Sequence, residues 1–384
     1  MYRIGKEEIE EVAKVIESGN MFKINDALHE TEACEEKIRG LFGVKRSLLV
    51  TSGFAALTSA LVGMGIGPGD EVIVPAYTYI ATVMAVVAAG AIPVIADIDA
   101  TYTIDPDKIE EKISPRTKAV IPVHIQGFPC NMAAICALSE KYGFQILEDA
   151  CQADGGSYRG KRLGSIGKAG ALSFNQFKVI SAGEGGAVLT DDDAVYERAL
   201  IYHDASAIAF FGNQLDGINE PQFCGAEYRT NEIAAAILRR QLEKLDGILT
   251  DLRRNKAYLT GLLKEKFAIG PSNDLAGDCG TTLPVVFETE AEARAFSAKV
   301  GTGNYLPIDT GKHIYNHWTA ILEQRGAFHP LMDPFKFPAN APYVPDYKAE
   351  VYPVTLDLLA RTVFLFPSPD WTQAEMQKIA QTVL

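Results

Sequence analysis

Three short runs in this chain put chemically able side chains beside apolar, strand-like segments. The first, residues 170–186, reads GALSFNQFKVISAGEGG, with Lys178 between an apolar strand and a glycine-rich turn. A lysine desolvated there has a lowered pKa and can act as a nucleophile or form a Schiff base. A solvent-exposed loop lysine is the ordinary alternative, and the flanking Phe174, Phe177, Val179 and Ile180 argue against it. The second run, residues 146–153, reads ILEDACQA and ends an apolar strand on the acid pair Glu148-Asp149. A carboxylate there can be a metal ligand, a general base, a partner for a heteroaromatic nitrogen, or the N-cap of the next helix. No His or further carboxylate lies close enough in sequence to suggest a metal cluster. The third run, residues 51–57, reads TSGFAAL: a strand, a glycine turn and a helix start. Unpaired N–H groups and the positive dipole end suit a phosphate, although small residues at such a turn also serve simply to make it tight.

All three runs fall at expected carboxyl ends of strands, where α/β sheets place their ligands. A phosphate cup, a carboxylate and a strand-end lysine together are what pyridoxal 5′-phosphate (PLP) requires. Helix N–H groups would hold its phosphate. Asp149 would pair with the pyridinium nitrogen, and Lys178 would carry the covalent link and shuttle a proton.

The elements that must position these groups follow a regular alternation. Strand-like runs occur at 47–51, 71–75, 92–97, 119–124, 145–148, 170–174 and 186–190. They are rich in Val, Ile and Leu with little alternation, as strands covered on both faces are. Helical stretches at 55–64, 80–89 and 132–142 separate several of them. The pattern predicts an α/β domain with a mostly parallel, seven-stranded sheet. A long amphipathic helix is expected from 230 to about 266, with Leu238, Leu242, Leu245, Ile248, Leu252 and Leu259 on one face. Beyond it come a strand at 281–287, a helix at 290–300, an aromatic-, Pro- and His-rich stretch at 301–350, an apolar run at 362–366 and a closing helix from Thr372, whose capping-box partner is Glu375. The expected division is a large domain over 1–245 and a smaller α+β domain over 246–384. A helix at about 6–18 has no place in the alternation and is a candidate to pack on the second domain.

The 36 Lys and Arg against 49 Asp and Glu leave a net charge of −13. That speaks against generic binding to nucleic acid or anionic membranes, which needs a basic face. No apolar run reaches the roughly 18–20 residues that cross a bilayer. The start, MYRIGKEE, lacks the apolar segment of a signal peptide, so the expected location is cytoplasmic. Six scattered cysteines without a C-x-x-C pair suggest neither a disulfide framework nor a zinc site, and no metal is expected.

The chain resembles the DegT/DnrJ/StrS sugar aminotransferases of the fold-type I PLP enzymes, the aspartate aminotransferase superfamily. The matching runs are residues 52–57, the PAYTY of 75–79, residues 148–153, residues 173–186 and the YRTNE of 228–232. The resemblance implies that Lys178 is the Schiff-base lysine, that Asp149 faces the pyridine nitrogen, that Gln152 lies near the ring hydroxyl and that Tyr79 stacks on the ring. It implies that Ser173 and the amides of the Ser52, Gly53, Phe54 and Ala55 turn hold the phosphate, with Asn175 a further candidate. It also implies a homodimer with shared active sites, in which the segment around Tyr228-Arg229 reaches the partner's site. Two positions depart from the family. Phe54 stands where a Thr hydroxyl usually helps hold the phosphate, and Glu227 stands where an Asn usually reaches the partner's phosphate. Phe54 removes a donor. Glu227 brings a carboxylate toward a dianion unless a base such as Arg229 neutralises it. Weaker PLP retention than in relatives is the expectation.

The activity this implies is ping-pong transfer of an amino group from glutamate or glutamine to a keto or aldehyde sugar. Relatives that dehydrate sugars carry His in place of the lysine, so Lys178 argues against that branch. A sugar or cyclitol dehydratase-type relative, such as those that make aromatic amino acids by dehydrating a cyclic ketone, and a non-catalytic binding or regulatory protein on the same fold remain the alternatives. Many relatives acting on nucleotide-linked sugars have a His-Leu-Gln-type segment in the second domain. Here HIYNHW (313–318) and FHPLMDPF (328–335) stand instead and look more similar to the branch that aminates a free octulosonate, an eight-carbon keto-acid sugar. Tyr315, His317 and His329 are the candidates for stacking on and hydrogen-bonding a sugar, with ordinary loop packing as the alternative, and the histidines and Arg361 are candidates to meet a substrate carboxylate.

Overall fold

The computed structural model describes residues 2–23, 28–204 and 218–384. Seven strands form the large sheet: β1 (Arg46–Val50), β2 (Glu71–Pro75), β3 (Ile92–Ala96), β4 (Thr117–Val120), β5 (Gln145–Asp149), β6 (Ala169–Ser173) and β7 (Gly186–Thr190). Their order is β1-β7-β6-β5-β4-β2-β3. The pairs β2/β3, β2/β4, β4/β5 and β5/β6 are parallel, and β7 runs antiparallel to both its neighbours. Strands β2, β3, β6 and β7 are buried at every residue, which explains their unbroken apolar sequences. One expected strand, 119–124, is shorter and starts earlier. Pro122 has no N–H to donate, and beyond it only the isolated bridge Val123–Asp149 continues the pairing.

Helices cover both faces. The first three are α1 (Lys6–Ser18), α2 (Glu30–Phe42) and α3 (Gly53–Gly63), followed by α4 (Ala81–Ala88), α5 (Pro106–Lys112), α6 (Met132–Tyr142) and α7 (Asp193–His203). Helix α3 is buried almost all round, which its run of Ala, Leu, Gly and Ser permits. Long helix α8 (Glu232–Leu263) buries Leu238, Leu242, Leu245, Ile248, Leu252 and Leu259, the expected face. Helix α1 lies along it, with Glu8 bonded to Lys244 and Gln241 and Glu11 paired with Arg239 and Arg240. Just before α1, Arg3 bridges Asp251 of α8 and Asp370 near the chain end at 2.9 and 2.6 Å.

After α8 a second, four-stranded antiparallel sheet forms from β8 (Ala268–Ile269), β9 (Leu283–Val286), β10 (Asn304–Tyr305) and β11 (Thr362–Leu365), in the order β8-β9-β11-β10. Helices α9 (Glu290–Val300) and α11 (Gln373–Val383) pack with it, and both carry Thr–Glu capping boxes. Helix α10 (Pro353–Ala360) lies between them in sequence. The loop-rich stretch before α10, expected to belong with this second unit, turns back onto the β3 edge of the large sheet. Trp318 is fully buried in the large core. Tyr347 Oη donates to the Pro93 carbonyl at 2.7 Å and Asn340 Nδ2 to the Gly90 carbonyl at 2.8 Å, and in α10 itself the Thr355 amide donates to Asp97 at 2.9 Å. Short turns held by such bonds carry no helical or strand period, so the sequence pattern was silent about them. No described helix is long and apolar enough to cross a membrane.

Candidate active site

The phosphate-like cup is built by close approach. Ser52 caps α3 through Oγ, which accepts from the Ala55 amide at 3.1 Å, and the first intrahelical bond runs from the Ala56 amide to the Ser52 carbonyl. The amides of Gly53 and Phe54 therefore lie ahead of the helix's own bonding and face out of its end. Only glycine fits at 53: a Cβ there would stand 2.8 Å from both Cys151 Sγ and Ser173 Cβ. Gly186 is bound by the same packing, since its Cβ would meet the Ser52 carbonyl oxygen at 2.3 Å. The antiparallel β7 can thus press the turn against β6, which brings Ser173 beside the free amides.

The acid pair separates into two roles. Glu148 points away from the cup, is fully buried, and accepts from the amides of Gly164 (2.9 Å), Ile166 (2.5 Å) and Gly167 (2.7 Å). His124 Nδ1 accepts from the Cys130 amide, so its Nε2 carries the proton and donates to Glu148 at 3.1 Å. Asp149 is 5% exposed and faces the cup. Thr82 Oγ1 donates to its Oδ2 at 2.7 Å and the Cys151 amide to its Oδ1 at 3.1 Å. Thr78 and Thr82 hydroxyls are 2.8 Å apart, completing a short relay that aims the carboxylate. Thr82 was not foreseen, because a threonine in an Ala- and Val-rich helix looks like one more core residue.

Lys178 is half-buried in the turn after β6, which the bonds Ala182 N to Phe174 O (3.0 Å) and Gln176 N to Gly183 O (3.1 Å) close. Phe174, Val179 and Ile180 are buried around it as expected, whereas Phe177 is 74% exposed. A cavity of about 250 Å³ is lined by Ser52, Gly53, Phe54, Tyr79, Thr82, Asp149, Gln152, Ser173, Asn175 and Lys178, among others. It shares Tyr79, Gln152, Asn175, Lys178 and Glu184 with a wider one of about 640 Å³. Within one chain the structure thus brings together every expected cofactor residue except Ala55, whose amide is spent on the cap, and Glu227. Free amides at a helix start, a serine hydroxyl, a carboxylate held by two donors and a strand-end amine fit the phosphate, the ring nitrogen and the aldehyde of PLP.

Glu227 lies outside both cavities. Its side chain is 56% exposed and pairs with Arg229 at 2.9 Å, so the neutralising base exists. Arg229 also pairs with Asp204 and lies over the Phe22 ring, 4.7 Å from its centroid.

The far wall of the wider cavity comes from Gln126, Thr281, Thr282, Tyr305, Lys312, His313 and Phe366. Of these only His313 fell in a run noticed in the sequence for its chemistry, and the four candidates named individually lie elsewhere. Tyr315 is 4% exposed, packs edge-on against Tyr352 with centroids 4.6 Å apart, and accepts from the Tyr352 amide. His317 and His329 are exposed and line neither cavity. Arg361 pairs with Asp357 at 2.7 Å, also away from the cavities. The reason is local. A bridge between Tyr77 and Ile314, with bonds Thr78 N to His313 O and Tyr315 N to Ala76 O, sets the register. His313 then faces the cavity, and the 3₁₀ turn Tyr315–His317 folds Tyr315 under. The His313 ring lies 5.4 Å from that of Tyr79, and Lys312 Nζ lies 5.3 Å from the Tyr79 ring centroid. Burial, reinforced by Lys312 and Lys178, pushes His313 down to about 4, so it is neutral at physiological pH.

A sequence profile of the DegT/DnrJ/EryC1/StrS aminotransferase family matches residues 2–295. GDP-perosamine synthase of Caulobacter vibrioides is 40% identical over 292 residues, 75% of this chain and 73% of that one. The dTDP-3-amino-3,6-dideoxy-alpha-D-galactopyranose transaminase of Aneurinibacillus thermoaerophilus is 32% identical over 357 residues, 92% of this chain and 89% of that one. Among solved structures, 3-amino-5-hydroxybenzoic acid synthase superimposes with a TM-score of 0.79 at 26% identity, over 100% of this chain and 97% of that one.

Proposed function

The chain belongs to the DegT/DnrJ/EryC1/StrS aminotransferase family, and from that premise we propose that it moves an amino group from glutamate or glutamine to a keto or aldehyde sugar in two half-reactions at one site. The observation that carries the proposal is the single cavity lined by Lys178, Asp149, Gln152, Ser173 and the α3 start. PLP, when bound, supplies an aldehyde carbon that bonds to amines and a ring that takes up the electron pair released at the donor's Cα. The α3 amides and Ser173 hold the phosphate end. Asp149, kept in place by Thr82 and the Cys151 amide, holds a proton at the ring nitrogen. Lys178 Nζ would hold the aldehyde carbon and, when free, would act as the base and acid that moves the proton of the donor's Cα. The aromatic side chains of Tyr79, Tyr305 and Phe366 wall the acceptor space and suit a sugar ring. Lys312, whose ammonium has no carboxylate partner among the described residues, is placed to meet an acidic group on the acceptor. That placement favours a sugar bearing a carboxylate or phosphate, the octulosonate type included.

We further assign a homodimer in which the Tyr228-Arg229 segment completes the partner's cup, and a division into a cofactor-binding part, 1–245, and a substrate-facing part, 246–384. The functional reading is tested by following the visible band of PLP-loaded protein. Glutamate should discharge it, and one of a panel of nucleotide-linked keto sugars, free keto sugars and an octulosonate aldehyde should restore it. A band that glutamate and glutamine leave untouched would sink the proposal.

A further inference from the structure

Gln126 stands in the left-handed region at φ 54°, ψ 20°, followed by Gly127 at φ 82°. Few residues with a Cβ adopt that conformation without compensation. Here the compensation is a set of four hydrogen bonds to four residues that line the wider cavity with it. The Gln126 amide donates to Gln152 Oε1 at 3.0 Å. Its side-chain Nε2 donates to Tyr305 Oη at 2.9 Å, and its Oε1 accepts from Thr282 Oγ1 at 3.1 Å. Its carbonyl accepts from Thr281 Oγ1 at 2.6 Å. The turn is clamped from below as well, since a Cβ on Gly127 would stand 2.7 Å from Cys279 Cβ.

One of these bonds decides an orientation. A backbone N–H can only donate, so its partner on Gln152 must be the oxygen, and the Gln152 NH₂ is the end left for the cavity. Because Gln126 is held by Tyr305, Thr281 and Thr282, that orientation depends on the wall contributed by the chain beyond α8. We propose that Gln126 is a positioning residue that locks the Gln152 amide with its NH₂ toward the ring hydroxyl of the cofactor, braced by Tyr305 and Thr282. The proposal rests on the functional reading above, in which Gln152 neighbours that hydroxyl. An acceptor group that takes the Tyr305 or Thr282 hydroxyl as its own partner would loosen the brace, so seating at the wall would be felt at the ring.

A donor to the ring oxygen favours its ionised form, and weakening that donor raises the pH at which it ionises. The test is a pH titration of the visible band of PLP-loaded protein without substrate, in wild type and in Gln126→Gly, Tyr305→Phe and Thr282→Val. Glycine keeps the amide and the left-handed backbone but removes the brace. The other two delete one hydroxyl each from residues placed on the far wall. The expected result is an upward shift of the midpoint in all three, with the Gln126→Gly and Tyr305→Phe effects failing to add in the double variant. An unmoved midpoint in Tyr305→Phe and Thr282→Val, or effects that simply add, overturns the proposal. Should Gln126→Gly fail to fold, the two hydroxyl deletions and their double variant decide the matter alone. Protein that binds PLP without forming any visible band contradicts the functional reading instead, so the two failures are distinguishable.

Discussion

Phe54→Thr should tighten PLP binding while slightly destabilising the protein without it. Phe54 is half-buried, lines the 250 Å³ cavity and packs at the margin of the large core. It occupies the second residue of α3, beside the free amides of the cup. A threonine hydroxyl there adds one hydrogen bond to a charged phosphate, worth about 1.5–3 kcal/mol. That corresponds to a dissociation constant roughly 10- to 150-fold lower. Loss of the ring removes apolar burial, and for a half-buried side chain the cost is about 1 kcal/mol. The two effects have opposite signs, which separates a change in cofactor affinity from a change in folding. Glu227→Asn should do much less. Its carboxylate is already paired with Arg229 at 2.9 Å, and that cation offsets the charge it would bring toward a phosphate. The assay is a fluorescence titration of PLP-free protein with PLP, beside thermal unfolding without it. If Phe54→Thr binds PLP no more tightly than wild type, the cup has been misread.

Other consequences concern buried titratable groups. Asp154 is fully buried, and neither carboxyl oxygen meets hydrogen-bond geometry with a described group, although the Ser173 amide is near. Burial raises it well above the usual carboxylate range against the pull of Lys178, so the folded state favours the proton and loses stability as pH rises above about 4. Asp154→Asn should therefore stabilise at neutral pH by ~1–3 kcal/mol, with the gain shrinking toward pH 4; thermal melts at both pH values check it, and a less stable Asn variant at pH 7 would contradict it. His313 is the opposite case for pH. Its folded value of about 4 lies below the ordinary 6.5, so stability holds above 6.5 and is lost as pH falls toward 4. Relative to His313→Gln, wild type should lose roughly 1–2 kcal/mol across that window, after discounting for its partial exposure; denaturant unfolding of both proteins at pH 7 and pH 4.5 measures it, and a stability difference that is the same at both pH values would refute it.

The cup was legible because its parts sit in contiguous runs at strand ends. The type of each element around Ser52, Asp149 and Lys178 follows from apolar runs and small residues, while the ends shift by a residue or two at β1, α3 and β6 and by more at β4, where Pro122 interrupts the strand. The capping boxes at Thr289 and Thr372 show how far four residues of local chemistry can carry an assignment, although only the second was read. The acceptor wall was illegible for the converse reason. Gln126, Thr281, Tyr305 and His313 come from four separate segments, each bonded to a neighbour remote in sequence. The stretch around residue 313 was noticed for its histidines, but which of them faces the cavity depends on a bridge to Tyr77 that no spacing announces. The direction of Glu148 was equally hidden, since an acid pair at a strand end alternates faces and only the three amides beyond 163 show which acid they claim.

The central claim is that Lys178 Nζ is the amine that carries the cofactor. Reduction of PLP-loaded protein with borohydride, followed by peptide mass mapping, reads that bond directly. The added pyridoxyl mass should sit on Lys178 and vanish in Lys178→Ala, while Lys312, the other lysine of the same cavity, stays unmodified. Label on Lys312, or label that persists in Lys178→Ala at the wild-type level, would contradict the account.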